Sequence, residues 1–116
     1  MKKNTEEGKK KRNEFIQKAA KRATEIPLIV MRKANSAMEL ALSMAKIGNV
    51  NAISDIGVAS EMASASCRSA SLNVRINLPS IDDEKFVKEV SKEYNEILTK
   101  IKSFHKSVNS IVSDRL

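Results

Sequence analysis

The sequence predicts an all-α protein, an antiparallel bundle of about four helices with a central Ala/Ser-rich helix. The 116 residues include only 3 Gly, 2 Pro, 3 Phe, 1 Tyr and no Trp, whereas sheets favour aromatic and β-branched residues with frequent turns. Apolar residues recur at three- and four-residue spacing. Pro27, Gly48 and Pro79 separate these periodic stretches. The length suits one domain, so we expect residues 1–116 to fold as a single helical unit.

The first two helical segments are predicted on either side of Pro27. The first runs from about Thr5 to Ile26, and Thr5 is a residue type that caps helix N-termini. Pro27 lacks a backbone donor and crowds the preceding turn, so we expect it to kink the helix or end it. The second segment runs from about Leu28 to Ile47. Gly48 then follows, at the place of a left-handed C-terminal cap.

The third and fourth segments differ sharply in composition. The third, about Ala52 to Ile76, carries Ala, Ser and Gly on almost every side, which lets neighbouring helices approach closely and favours a central position. After Pro79, Ser80 or Asp82 is the expected N-cap of the last helix. That helix has a regular apolar stripe with Lys, Glu and Ser on its other face.

Cysteine usage and hydropathy indicate a cytoplasmic protein. Cys67 is the only cysteine, so no disulfide forms within the chain, and a reducing compartment is expected. No apolar run follows Met1 as in a secretory signal. No uncharged apolar stretch approaches the roughly 18 residues of a membrane span.

Positive charge is concentrated in the first third of the chain. Residues 1–33 hold 11 Lys or Arg and 4 Asp or Glu, and the remaining residues hold 10 of each, which accounts for the net charge of +7. Such a basic arm suggests an anionic partner, namely nucleic acid, acidic lipid or a polycarboxylate. The alternative is a solvated helix face or a frayed terminus. Nucleic acid is the partner favoured least, because no aromatic residue is interleaved with Lys9 to Arg12 for base stacking.

No motif for a metal, a nucleotide or a nucleophilic triad is present. His105 stands alone, whereas a metal site needs several ligands together. Cys67 lies among small residues and is expected to be a packed thiol, since a nucleophile needs an activating base and access. Gly48 and Gly57 do not form a phosphate-binding loop. The sequence therefore predicts neither a metal nor a cofactor.

Polar residues bracket the third segment and are the candidate site. Capping explains Ser54 and Asp55, and a turn explains Asn77. Asn73 and Arg75 lie within an apolar run, where an unpaired buried polar side chain costs a few kcal/mol. Spacing alone leaves ligand contact and structural hydrogen bonding equally open. The full set before and after the segment is Asn49, Asn51, Ser54, Asp55, Asn73, Arg75 and Asn77.

Two strings give the chain a family resemblance. Gly48–Ala59 is similar to one signature of the formiminotransferase-cyclodeaminase (cyclodeaminase domain) and methenyltetrahydrofolate cyclohydrolase family, and Leu72–Asp83 resembles its second signature. The order and separation of the two strings also match. Upstream, Lys3–Glu7 and Ala23–Leu28 resemble the stretch that precedes them. The resemblance covers nearly the whole chain and corresponds to the C-terminal half of the cyclodeaminase domain.

The resemblance implies an all-α homodimer of folate one-carbon metabolism. Such an enzyme either releases ammonia from 5-formiminotetrahydrofolate or hydrolyses 5,10-methenyltetrahydrofolate, without a metal or nucleotide. The seven polar residues would then face a tetrahydrofolate substrate. The polyglutamate tail would meet the basic residues, which are Lys9 to Arg12, Lys18, Lys21 and Arg22.

The family's catalytic aspartate precedes the matched region, so the resemblance assigns no catalytic residue to this chain. A truncated or split enzyme would need a complementing N-terminal half to supply the general acid or base. The alternative is a non-catalytic helical dimerisation module derived from that enzyme.

Overall fold

The computed structural model describes residues 5–116 as three long helices. These are α1 (Glu6–Ile47), α2 (Ile53–Asn77) and α3 (Glu84–Arg115), and short 3-10 turns at Val50–Ala52 and Leu78–Ser80 flank α2. The described part is thus all-α, as predicted. Lys3 and Asn4, which begin one of the resembling stretches, lie outside the described residues, as do the other residues of the basic third before Thr5.

Helix α1 continues through Pro27, so four predicted segments become three helices and the predicted count of about four is not confirmed. Pro27 cannot donate to the carbonyl of Ala23, four residues earlier. The side chain of Asn77 supplies a replacement: its Nδ2 donates to the Ala23 oxygen at 3.4 Å. A residue at the end of α2 therefore satisfies the acceptor that the proline leaves open in α1.

The helix ends follow the capping rules, with one change from the prediction. Thr5 Oγ1 accepts a hydrogen bond from the Gly8 amide at 3.0 Å, which confirms the predicted N-cap of α1. Gly48 adopts φ 77° and ψ 46°, and this confirms the left-handed cap. The N-cap of α3 is Asp83, whose Oδ1 accepts from the Phe86 amide at 3.1 Å, and neither Ser80 nor Asp82 has that role.

The three helices run up, down and up, so α2 is antiparallel to both of its neighbours. Polar contacts fix the parallel register of α1 and α3. Lys21 Nζ lies 2.7 Å from Asp83 Oδ2, and Arg32 forms a bidentate ion pair with the Glu93 carboxylate. Surface pairs of this kind add little stability, but they specify which turns of α1 and α3 meet.

The core lies along the line where all three helices meet. Its fully buried side chains include Met31 and Met38 from α1, Cys67 and Val74 from α2, and Val108 from α3. Helix α2 contributes mostly small residues to this core, as its composition predicts. The molecule is elongated, with extents of 67 × 21 × 16 Å. In residues 5–116 no helix is long and apolar enough to cross a membrane.

Candidate functional site

The structure places the seven predicted site residues in two groups at opposite ends of α2. Asp55 lies in the first turn and Asn73 near the last turn. Eighteen residues separate them, or about 27 Å at 1.5 Å per residue. A single chain therefore does not bring the two groups together.

The group at the start of α2 is exposed. Asn49 has a local structural role, because its Oδ1 accepts from the Asn51 amide at 3.0 Å and stabilises the 3-10 turn. The N-cap of α2 is Ala52, without a side-chain hydrogen bond, so capping does not explain Ser54 or Asp55. The Asp55 carboxylate instead suits the positive end of the helix dipole.

The group at the end of α2 divides between the two roles that spacing left open. Asn77 is half-buried and structural, since its Nδ2 donates to the carbonyls of Asn73, at 2.9 Å, and of Ala23. Arg75 is exposed in the last turn. Asn73 faces a groove between α1 and α2. Of the three, Asn73 is the residue best placed to meet a ligand.

This groove, called here the α1–α2 groove, has a volume of about 580 Å³, within the usual range for small-molecule sites. One wall is apolar and the other carries hydroxyl and amide groups. None of the lining residues is titratable, so the groove can bind a ligand but cannot exchange a proton with it. The walls are Ala23, Ile26, Pro27 and Val30 from α1, and Ser66, Ser69, Ala70, Asn73 and Asn77 from α2.

Sequence reasoning missed much of this lining. The composition of the third segment indicates only close packing for Ser66 and Ser69, and the sequence predicts for Pro27 only a kink or an end of the helix. One available signal was spacing: Ser66, Ser69 and Asn73 recur at three and four residues and therefore share one face of α2. The α1 wall required knowledge of how the two helices pair.

A second polar cluster lies between α2 and α3. His105 Nε2 is 2.8 Å from Glu61 Oε1, and Asn109 Nδ2 is 3.3 Å from the same nitrogen. The hydrogen bond with His105 lowers the pKa of Glu61. His105 is half-buried and its contact with Glu61 joins α2 to α3. Among residues 5–116, no three His, Cys, Asp or Glu side chains are grouped to hold a metal ion.

Two further carboxylates, Glu93 and Asp83, form ion pairs with residues of α1. The hydrogen bond from Arg32 lowers the pKa of Glu93, and the hydrogen bond from Lys21 lowers that of Asp83. Lys21, predicted to meet a polyglutamate tail, is therefore already engaged by Asp83. Cys67 is buried and its pKa is raised by that burial, which confirms the packed thiol.

The basic residues at the start of α1 stand clear of the rest of the bundle. Gln17 bridges to the loop before α3, with Nε2 donating to the Ser80 carbonyl and Oε1 accepting from the Asp82 amide, both at 2.8 Å. The helix turns before Gln17 extend past this loop, and Lys9 to Arg12 are exposed there.

Comparison with known proteins places these features in a family. The family described as formiminotransferase-cyclodeaminase matches residues 1–96. A methenyltetrahydrofolate cyclohydrolase from Methylorubrum extorquens is 39% identical over 114 residues, which cover 98% of this chain and 55% of that protein.

Two bifunctional relatives are also similar. A formimidoyltransferase-cyclodeaminase from Dictyostelium discoideum is 37% identical over 86% of this chain and 19% of its own length. One from Gallus gallus is 32% identical over 97% of this chain and 21% of its own length. The chain thus spans about half of the cyclohydrolase and about a fifth of each bifunctional protein. Because this family matches most of the residues of the chain, the chain belongs to the formiminotransferase-cyclodeaminase family.

Proposed function

We propose that the chain acts in folate one-carbon metabolism, as part of a cyclohydrolase or cyclodeaminase that binds a tetrahydrofolate derivative in the α1–α2 groove. The observation that carries this proposal is the pairing of family membership with a ligand-sized groove of one apolar and one polar wall. The groove passes Asn73 and Asn77, which belong to the second signature string.

The apolar wall of the groove suits the flat faces of a reduced pterin ring, and the polar wall suits its edge. The ring faces would pack on Ile26, Pro27 and Val30, where contact with apolar surface is favourable. The ring edge carries alternating donors and acceptors, and Asn73 and Ser69 offer an amide and a hydroxyl to meet them. Asn77 would act indirectly, by holding the wall at Pro27 in place.

Both family reactions require proton transfer at the one-carbon unit. Hydrolysis adds water to the methenyl carbon, breaks its bond to N5 and gives 10-formyltetrahydrofolate with release of a proton. Ring closure of the formimino compound expels the nitrogen as ammonia. Because no titratable side chain lines the groove, the general acid or base would come from a second copy of the chain or from a complementing N-terminal half. A homodimer in the cytoplasm is the form we propose.

The basic start of α1 is the proposed contact for a polyglutamate tail. Lys9 to Arg12, Lys18 and Arg22 are exposed along one end of the molecule, and the attraction of such a cluster for carboxylates is long-ranged and weakened by salt. Lys18→Glu with Arg22→Glu should weaken binding of a polyglutamylated folate more than binding of the monoglutamate. Equal affinity of the variant and the parent for the polyglutamate would contradict the proposed contact between these basic residues and the tail.

Direct titration with 5-formyltetrahydrofolate, a stable reduced folate, tests the groove. Asn73→Ala should weaken binding about 5- to 10-fold, because one ligand hydrogen bond contributes about 1 kcal/mol. Ser66→Phe, which fills the groove, should abolish binding. Asn95→Ala is the matched control, since Asn95 is exposed on α3 and outside the groove. Binding that survives Ser66→Phe would place the site elsewhere.

A non-catalytic dimerisation module is the second candidate. The absence of a titratable group in the groove lining favours it, as does the large exposed apolar surface of α1 and α2. A folded sample that self-associates but neither binds 5-formyltetrahydrofolate nor accelerates methenyl hydrolysis would support the module over the enzyme.

A further inference from the structure

The face of α2 that points away from the core is apolar and uncovered. Val58 is 57% exposed, Met62 66%, Leu72 61% and Ile76 76%. Exposed Ala65 and Ser69 lie between these large residues on the same face. We call these six positions the α2 stripe. A helix that is apolar on its outer face as well as its inner one is typical of a buried helix.

The α2 stripe has the same pattern in both directions along the helix. Val58 and Ile76 each lie nine residues from Cys67, Met62 and Leu72 each lie five, and Ala65 and Ser69 each lie two. Read from either end, the order is large, large, small, small, large, large. A surface with this symmetry is complementary to itself when one helix is inverted against the other.

We propose that the α2 stripe is the docking surface for a second copy of this chain, with the two α2 helices antiparallel and crossing at the level of Cys67. Each pair of symmetric positions then meets twice in an isologous interface. Val58 meets Ile76 of the second copy, and Met62 meets its Leu72. Small residues occupy the crossing point, where they allow the two backbones to approach closely.

Charge supports the antiparallel orientation. Glu61 and Arg75 are fourteen residues apart, close to four helical turns, and therefore lie on the same flank of the stripe. In the antiparallel pairing, Glu61 of one copy lies within two residues, about 3 Å along the axis, of the level of Arg75 in the other. A parallel two-fold pairing would instead turn this flank of the two copies to opposite sides of the interface, so Glu61 of one copy and Arg75 of the other would not meet.

The same pairing brings the two separated polar groups together, a consequence that rests on the proposed function. Asp55 and Asn73 are five helical turns apart and share the flank that faces the α1–α2 groove. In the antiparallel pair, Asp55 of the second copy lies opposite position 79 of the first. Position 79 is two residues beyond Asn77, or about 3 Å along the helix axis. Each groove, which has no titratable lining of its own, would thus gain a carboxylate from the other copy and become a composite site.

Cysteine cross-linking tests the geometry without any folate. Val58→Cys chains mixed with Ile76→Cys chains should form a disulfide-linked heterodimer under mild oxidation. Val58→Cys alone should not, because its two cysteines would lie about 27 Å apart. The unmodified chain, whose Cys67 is buried, measures the background. Cross-linking of Val58→Cys to itself, or absence of the mixed product, would overturn the pairing.

Sedimentation equilibrium provides a second test of the same contact. Leu72→Glu should convert the dimer to a monomer, since it places a carboxylate against Met62 of the other copy. Adding Met62→Lys should restore the dimer, because the lysine of one copy then meets the carboxylate of the other. The pair cannot form within one chain, where the two positions are about 15 Å apart. Failure of the second substitution to restore association would contradict the prediction that these two positions face each other.

Subunit mixing tests the composite site and separates it from the dimer itself. Asp55→Ala and Asn73→Ala chains should each bind 5-formyltetrahydrofolate weakly, whereas their re-equilibrated mixture should recover about a quarter of the parent's sites. This follows because half the dimers are mixed and each has one intact site of two. No recovery in a cross-linkable mixture whose parent binds folate would overturn the composite site. A parent that cross-links but does not bind folate would contradict the proposed function and leave the pairing standing.

Discussion

Asn77→Ala tests how the chain tolerates a proline in the middle of its longest helix. Pro27 leaves the carbonyl of Ala23 without its helical donor, and Asn77 Nδ2 supplies one at 3.4 Å while also donating to Asn73 at 2.9 Å. Removing the amide takes this donor away from the Ala23 oxygen. The cost should therefore depend on whether Pro27 is present.

The expected magnitude follows from these two bonds. Each hydrogen bond contributes a net of about 0.5–1.5 kcal/mol, and the longer one belongs at the low end, so Asn77→Ala should destabilise by about 1–2 kcal/mol. In a Pro27→Ala background the backbone amide at position 27 can bond Ala23 again. The cost of Asn77→Ala should fall there by about 0.5–1 kcal/mol, which is the coupling free energy between the two positions.

Urea unfolding followed by far-ultraviolet circular dichroism measures all four proteins of this cycle. Pro27→Ala alone should raise stability, since an interior helical proline costs about 3 kcal/mol. Asn73→Ala is the matched control, as its side chain is exposed and only its backbone oxygen bonds Asn77, and it should change stability by less than about 0.5 kcal/mol. An equal cost of Asn77→Ala with and without Pro27 would refute the reasoning.

Three further results are expected. The pKa of Glu93 is lowered by its hydrogen bond with Arg32, so the pair stabilises the fold at pH values above the ordinary pKa of a glutamate, and this contribution is lost as pH falls through the lowered pKa. Glu93→Gln should remove that part of the acid dependence, less than about 1 kcal/mol, and identical pH–stability curves would contradict it. Gly48→Ala should destabilise by about 1–2 kcal/mol in thermal unfolding, because φ is 77° there; an unchanged midpoint would count against the left-handed cap. The Cys67 thiol, which is fully buried, should react with a thiol reagent only at urea concentrations that unfold the protein, and rapid labelling in buffer would show that it is accessible.

Local rules predicted most of the fold. The positions of Thr5 and Gly48 at the ends of α1 and the small-residue character of α2 followed from residue type and spacing. The helix does not end at Pro27, and the donor that compensates for the proline comes from Asn77, fifty residues later. No local pattern identifies such a partner, since it depends on how α1 and α2 pair.

The site was predictable only in part, for a related reason. The polar residues around α2 were visible in the sequence, but their roles depend on neighbours: Asn49 and Asn77 bond the backbone, whereas Asn73 lines a groove. The distance between Asp55 and Asn73 also required the length of a straight helix. Their proposed meeting in a dimer follows from the symmetry of the α2 stripe, which becomes evident only once the core face of α2 is known.

The most direct test of the central proposal is the decay of 5,10-methenyltetrahydrofolate absorbance on adding the purified chain, measured against the buffer rate. The same assay is repeated with the N-terminal half of a family member supplied separately. Acceleration by the chain, alone or complemented, that is reduced in Asn73→Ala and unchanged in Asn95→Ala is the predicted result. A folded chain that leaves the buffer rate unchanged in both forms, or acceleration that Asn73→Ala does not affect, would contradict a folate site in the α1–α2 groove.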